Sequence, residues 1–269
     1  MSALDRRVAI VTGASRGVGR GAALGLGEAG WVVYVTGRTV EPGDSDRPGT
    51  VVKTANEVTE LGGEGIAVRC DHRDDADTQA LFDRVLGDEG HLDLLVNSAT
   101  SYVTPVGPQD DRPFWELPIG HWDQMHAVGL RSHYVASSFA ARAMTEAHQG
   151  VIVNISSIGA TKYTGNVSYN VVKAGVDMLT LAMAEELRPF GVAVVSLWPR
   201  LTKTEGIVAR PDLFPTLATA WSPQFTGRVV AALAADPAIM QRSGTAIDIG
   251  RAARDYGVTD VDGRQPEPR

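Results

Sequence analysis

The sequence has almost no cysteine: Cys70 stands alone among 269 residues. A single thiol excludes an intramolecular disulfide and a zinc site built from cysteines. Positive charge is in deficit too. Lys and Arg number 25 against 32 Asp and Glu, a formal net charge of −7. That balance argues against nucleic acid, whose phosphates demand a basic face, although a few local basic groups suffice to hold an anionic cofactor. Long apolar runs are missing, so no bilayer span is expected. Residues 1–7 carry charges and lead directly into a short apolar segment, without the apolar stretch of a secretory signal. A soluble, reducing, cytoplasmic setting is the expectation. The six histidines, His72, His91, His121, His126, His133 and His148, share no ligand spacing with Cys or carboxylates. They read as surface or structural groups, and no metal site is expected.

What the sequence does contain is alternation. Short apolar segments at 8–11, 31–35, 65–70, 92–96, 151–155 and 192–198 alternate with longer amphipathic ones, a helix from the glycine-rich turn through Ala29, then 51–61, 74–87, 119–147 and 168–189. Strands alternating with helices predict an α/β, doubly wound parallel sheet of Rossmann type covered on both faces. The length suits a single domain over 1–260. A helix near 226–235 and a short strand near 245–249 complete it. The Pro/Gly/Asp-rich stretch 40–50 is expected to be locally disordered. The polar tail, 261–269, is expected to fray or to pack on a neighbouring subunit.

Between the first strand and the first helix lies Thr12-Gly13-Ala14-Ser15-Arg16-Gly17-Val18-Gly19. Glycines in that place let the backbone approach a pyrophosphate, and the free N–H groups of a helix start favour its negative charge. An ordinary tight turn is the bland alternative, and the strand–glycine–helix context weighs against it. Enzymes that use NAD usually place an acid after the second strand to bind the ribose hydroxyls. Here that position reads Thr36-Gly37-Arg38-Thr39, with no acid. The planar fork of Arg38 suits a 2′-phosphate, and Arg16 is placed to reach the same group. NADP(H) is therefore the expected cofactor.

Tyr169 and Lys173 lie four apart at a helix start and share a face. A tyrosine with a reference pKa near ~10 is a poor acid–base group at neutral pH. A lysine ammonium ~4 Å away contributes roughly 4 kcal/mol at an effective dielectric of ~20, about three pKa units. That brings a phenol close to ~7, where it can give or take a proton. Just upstream, Ile155-Ser156-Ser157 ends a strand at the carboxyl edge, where open α/β sheets bind ligands. Alternation points the two serines to opposite faces, and Ser157 is the preferred substrate-oxygen partner over Ser156.

These pieces resemble the classical short-chain dehydrogenase/reductases over nearly the whole chain. The shared features are the Thr-Gly-x-x-x-Gly-x-Gly loop, Asp71 after the third strand, and Asn97 and Ala99 after the fourth. To these are added the serine, the Tyr-x-x-x-Lys, and Pro199 with Thr204 after the sixth strand. The resemblance implies that Asp71 bonds the adenine amine, that Asn97 supports the sheet and ribose, and that Lys173 also holds the nicotinamide ribose. It implies that Thr204 meets the carboxamide, and that Ser15, Val18, His72, Ala99, Tyr169, Pro199 and Thr202 border the cofactor. Further stretches, such as 128–134, 196–199 and 256–264, look like one subgroup of that family. The implied activity is NADPH-dependent carbonyl reduction or alcohol oxidation on a lipophilic substrate, steroid-like or otherwise. It also implies a homo-oligomer, dimer or tetramer, paired through the helices at 119–147 and 168–189.

Three departures stand out. The usual Asn-Asn-Ala-Gly is Asn97-Ser98-Ala99-Thr100, Gly129 replaces an Asn of the long helix tied to a proton-relaying water, and Arg200 replaces the Gly after Pro199. Gly129 and Arg200 keep open an NADP-binding scaffold or sensor with little turnover, and a further alternative is an NAD-dependent dehydrogenase in which Arg38 is a solvated charge. Trp115, Trp122, Trp198 and Trp221 read as core, while Tyr102, Phe114, Trp198 and Leu201 follow strand ends and are candidates to line an apolar cleft.

Overall fold

Strands buried on both faces need apolar side chains at every position. β1 (Val8–Val11) and β4 (Leu94–Asn97) are buried throughout, and so is β2 (Val32–Gly37). In the computed structural model, which describes residues 6–101 and 112–267, they form the middle of a parallel sheet. β3 (Glu64–Arg69), β5 (Gly150–Ile155), β6 (Val192–Trp198) and β7 (Ala246–Asp248) complete it in the order β3-β2-β1-β4-β5-β6-β7. β3 lies at an edge and is accordingly only partly buried. The chain winds outward from β1 through β3, then returns to lay β4 beside β1. That reversal opens a crevice beyond the carboxyl ends of β1 and β4, the place where such sheets bind ligands.

Alternate residues of each strand feed two cores. Ala9, Val11, Val33, Val35, Val96, Val153 and Val195 face α1 (Gly17–Glu28), α2 (Val51–Glu60) and, further along the chain, the helix Pro223–Ala235. Val8, Ile10, Tyr34, Leu95, Ile152 and Val194 face α3 (Asp75–Glu89) and the two long helices at 132–147 and 167–187. α1 carries five glycines, each costing about 1 kcal/mol of helix propensity relative to Ala. Their use is proximity. A Cβ on Gly21 would sit 1.9 Å from the Pro223 carbonyl oxygen, and one on Gly25 would sit 2.2 Å from the Gly227 carbonyl carbon.

The predicted helix over 119–147 is three pieces in sequence. α4 (Ile119–His126) passes into a π-helical turn over Ala127–Arg131 and then α5 (Ser132–Ala147), with helical backbone angles at both junctions. Gly129 sits inside the wide turn, where a Cβ would come within 2.9 Å of Val172 Cγ1 on α6 (Val167–Leu187). The widening lets the turn press against α6, which no larger residue at 129 would allow without displacing Val172.

Several expectations are corrected. α7 (Glu205–Val208) and α9 (Ile249–Asp255) were not anticipated, and α8 spans Pro223–Ala235, with Ser222 capping Phe225 N–H. The 40–50 stretch is organised rather than disordered. Asp44 accepts from Val40 N and Glu41 N, and the Arg16 guanidinium donates to the carbonyls of Pro48 and Gly49. Up to residue 267 the tail folds onto its own chain. Buried Asp260 accepts from Ser222 N, while Arg264 lies over the Trp221 ring at 4.9 Å and donates to the carbonyls of Thr219 and Ala220. Trp115 and Trp122 are exposed instead of core residues.

Candidate active site

The first wall of the crevice is the β1–α1 loop. Thr12 Oγ1 accepts hydrogen bonds from Ser98 N (2.9 Å) and Ala99 N (3.0 Å), tying that loop to the end of β4. Gly13 faces Ala99 so closely that a Cβ would lie 2.6 Å from its Cα, and a Cβ on Gly19 would strike the Gly13 carbonyl oxygen at 2.4 Å. Gly17 adopts φ of +60° and turns its N–H toward the Glu205 carboxylate, 2.8 Å away. A carboxylate thus already stands on the donor that begins α1. A loop whose glycines bring bare backbone to the crevice, ending in a helix start that draws an anion, fits a dinucleotide pyrophosphate. Ser15 is buried, Val18 packs into the core beneath the loop, and the Thr204 methyl lies 3.6 Å from where a Gly17 Cβ would be.

The groups expected to meet adenosine are less free than the sequence suggests. Arg38 is exposed and donates no hydrogen bond to another described residue. Arg16 is occupied by the loop carbonyls and by Thr39 Oγ1, and burial pushes its pKa down. The Asp71 carboxylate is gripped by Arg73, which holds its pKa at about 2, so it stays an acceptor. His72 turns inward: one ring nitrogen meets Thr36 Oγ1 at 2.9 Å and the other meets Cys70 Sγ at 3.6 Å. Its side chain is structural, leaving only backbone for a cofactor.

On the opposite wall α6 begins at Asn166, whose side chain accepts from Tyr169 N at 2.8 Å and fixes the first turn. The Tyr169 hydroxyl lies 2.9 Å from Ser157 Oγ, and Ser157 also accepts from Gly159 N at 3.1 Å. Ser156 points the other way, donating to the Lys173 carbonyl at 3.2 Å. Of the two serines, therefore, Ser157 is the one beside Tyr169. Lys173 is buried, with Nζ 5.7 Å from the Tyr169 ring centre and donating to the Ile155 carbonyl at 2.8 Å. Burial pushes its pKa down to about 8, partly opposed by Asp177.

Beneath this pair lies a buried amide network. Asn97 Nδ2 donates to Ser137 Oγ and Asn154 Oδ1, both at 2.9 Å, and Asn154 Nδ2 donates to Thr180 Oγ1. Arg200, unexpected after Pro199, is bidentate with Asp248 at 2.8 and 3.2 Å, and Thr202 Oγ1 donates to its carbonyl. The Trp198 indole is held to Asp177 and not left to a cleft. Phe114 is exposed and Leu201 half-buried, while Tyr102 lies outside the described residues. Two groups escaped the sequence: Glu205, flagged only by its place after Thr204, and His133, one helical turn beyond Gly129 and fully buried.

A parallel sheet with a glycine cradle at its switch point and a serine, tyrosine and lysine at the next strand ends defines a nucleotide-dependent oxidoreductase scaffold. The family model described as short chain dehydrogenase matches residues 7–211, and the chain belongs to that family. Among curated relatives it is similar to "Dehydrogenase/reductase SDR family member 1" of Mus musculus, 42% identical over 271 residues, covering 96% of this chain and 84% of the relative. Among solved structures it is similar to a metagenomic short-chain oxidoreductase in complex with NADP, 30% identical with a TM-score of 0.72, covering 91% of this chain and 97% of that one. It is also similar to a single-residue variant of actinorhodin polyketide ketoreductase with NADPH, 26% identical with a TM-score of 0.79, covering 92% and 97%.

The buried histidines give a pH prediction. Burial depresses the pKa of His72 to about 4 and of His133 to about 3, below the ~6.5 of an unfolded histidine. The unfolded chain therefore binds these protons first, and stability is lost as pH falls from about 6.5 toward 4. At pH 5 the loss from His72 alone is about 2 kcal/mol relative to pH 7. Urea unfolding at the two pH values checks this, and His72→Asn should remove about half of the difference, the His133 share remaining; an unchanged midpoint in the wild type contradicts it.

Proposed function

We propose that this chain is an NADPH-dependent oxidoreductase that interconverts a carbonyl and an alcohol on a lipophilic substrate. The observation that carries this reading is the 2.9 Å contact between Tyr169 and Ser157 beside the buried Lys173 ammonium. Ser157 Oγ accepts from Gly159 N and from the phenol, so both its lone pairs are used and its own proton is left to donate. A carbonyl oxygen set between the two hydroxyls accepts from Ser157 and, once the phenol turns its single O–H from Ser157 to the substrate, from Tyr169, the arrangement that stabilises negative charge developing on oxygen. Tyr169 then gives up its proton, and the Lys173 charge, poorly screened at its buried position, stabilises the phenolate left behind. A bound nicotinamide supplies or receives the hydride.

Preference for NADP(H) rests on Arg38, the uncommitted guanidinium after β2 where no acid stands, and on the NADP and NADPH present in two structural neighbours. We further propose self-association through α4, α5 and α6. Of the apolar residues on these helices, Met144, Val172 and Val176 are buried within the fold, but Trp122, Tyr134, Val171, Met178 and Leu181 stand exposed on the outer side. A soluble monomer rarely shows so many together.

Three outcomes follow from these proposals. Arg38→Asp weakens NADPH by about tenfold or more, the scale of a charge-assisted hydrogen bond, and leaves NADH nearly unaffected; equal loss of both in calorimetric titration contradicts the 2′-phosphate role. Tyr169→Phe folds and binds NADPH as the wild type does, yet loses about 10²- to 10⁴-fold in turnover, and Ser157→Ala costs more than Ser156→Ala. Near-full turnover of Tyr169→Phe would place the proton donor elsewhere. Light scattering at micromolar concentration gives a dimer or tetramer, and a clean monomer refutes the interface.

A further inference from the structure

The side chain of Asn170, next along α6 from Tyr169, makes four hydrogen bonds, and none of them is to its own helix. Its Nδ2 donates to the carbonyls of Gly159 and Lys162, both at 2.5 Å. Its Oδ1 accepts from Thr164 N at 3.1 Å and from Thr164 Oγ1 at 3.3 Å. Both N–H bonds and both lone pairs of the amide are thus used, all of them on the loop that joins β5 to α6. Asn is a poor helix former, because its short amide competes with the backbone. Its contribution lies in the loop rather than in α6.

The residue in that loop that bears on the chemistry is Gly159. It is buried, and a Cβ there would lie 2.8 Å from Tyr169 Cε1 and 3.0 Å from Ser157 Oγ. Its N–H donates to Ser157 Oγ at 3.1 Å, and its carbonyl is one of the two that Asn170 holds. These groups flank one Cα, so a fixed carbonyl limits the rotation that would swing the N–H off the serine. The short 3₁₀ turn over Ile158–Ala160 does not do this by itself. Its bonds run from Ala160 N to the Ser157 carbonyl, and from Thr161 N and Lys162 N to the Ile158 carbonyl. Asn170 supplies the donor for Gly159.

We propose that Asn170 is a positioning residue for Ser157, acting through Gly159. By holding the Gly159 carbonyl it keeps the Gly159 N–H on Ser157 Oγ, which fixes the hydroxyl so that its proton points to the oxygen meeting Tyr169. Without that N–H a lone pair of Ser157 is released and the hydroxyl turns freely. The N–H also draws electron density from Oγ and strengthens Ser157 as a donor to negative charge, whether on a substrate oxygen or on the Tyr169 phenolate. Ionisable groups on the elements around the pair are Lys173 on α6, Lys162 and Tyr163 on the loop, and His121 on α4, which lies 3.4 Å from the capping Asn166. An uncharged replacement at 170 alters none of these charges.

The role of Ser157 rests on the oxidoreductase reading, so the first test is independent of turnover. Tyr169 ionisation is followed by tyrosinate absorbance, as the difference between each protein and its Tyr169→Phe counterpart. Ser157→Ala removes a hydrogen bond to the phenolate and should raise the Tyr169 midpoint by about one pH unit or more. Asn170→Leu keeps the size of the side chain and removes its four bonds, and should raise the midpoint by about half a pH unit. Asn170→Ala, a better helix former, should do the same. Added to Ser157→Ala, Asn170→Leu should shift nothing further, because the group through which it acts is gone. An unshifted midpoint in both Asn170 variants, or a shift that persists in full on the Ser157→Ala background, overturns the proposal. With a carbonyl substrate, Asn170→Leu should lower kcat about threefold or more, the equivalent of that half unit, and leave KM for NADPH unchanged; a loss confined to KM overturns it too. Absence of turnover on any carbonyl would sink the oxidoreductase reading and leave the titration results standing.

Discussion

The clamp between Thr12 and the end of β4 is the contact on which the rest of the site depends. One hydroxyl oxygen accepts from two successive backbone N–H groups, Ser98 and Ala99, and so fixes the spacing of the two loops that diverge at the switch point. Gly13 permits that spacing, since any side chain there would strike Ala99. From this junction one direction leads to the glycine cradle and the start of α1. The other leads through the Ala99 carbonyl to His133 and through Asn97 to the buried amides under Lys173. The glycine loop and the Tyr169–Ser157–Lys173 cluster are therefore tied to the same junction rather than to separate loops.

α6 is fastened to β5 by a reciprocal pair of bonds. Ser156 Oγ donates to the Lys173 carbonyl, and Lys173 Nζ donates to the carbonyl of Ile155, the residue before Ser156. This explains why adjacent serines have different work. Strand alternation turns Ser156 into the fold and Ser157 toward Tyr169. It also explains how a lysine is tolerated in a buried position: the Ile155 carbonyl accepts one of its N–H bonds, and Asp177 partly opposes the burial that lowers its pKa to about 8.

The α/β architecture, the parallel sheet and the strand positions were legible because fully buried strands require unbroken apolar runs, and those runs stand out between amphipathic helices. Strand ends moved by a residue or two, as in β4, which begins at Leu94 where a start at 92 was expected. The cradle, Tyr169, Lys173 and Ser157 were legible because each is bound to a local pattern. What the sequence hid depends on long-range contacts. The π turn at Gly129 answers to Val172 on another helix, Arg200 to Asp248, and the folded tail to Trp221. His133 looked bland because nothing local marks it; its burial and its bond to Ala99 exist only once α5 docks on β4. The loop at 40–50 looked irregular by composition, and the Arg16 side chain that organises it comes from another segment.

The central claim is that Tyr169, Ser157 and Lys173 form a working proton-transfer site and are not a relic on a nucleotide-binding scaffold. The most direct test is the oxidation of NADPH, followed by loss of reduced-nicotinamide absorbance, against a broad panel of lipophilic ketones and aldehydes. The account predicts turnover with at least one of them and formation of the corresponding alcohol. Tight NADPH binding with no turnover across the whole panel would contradict it.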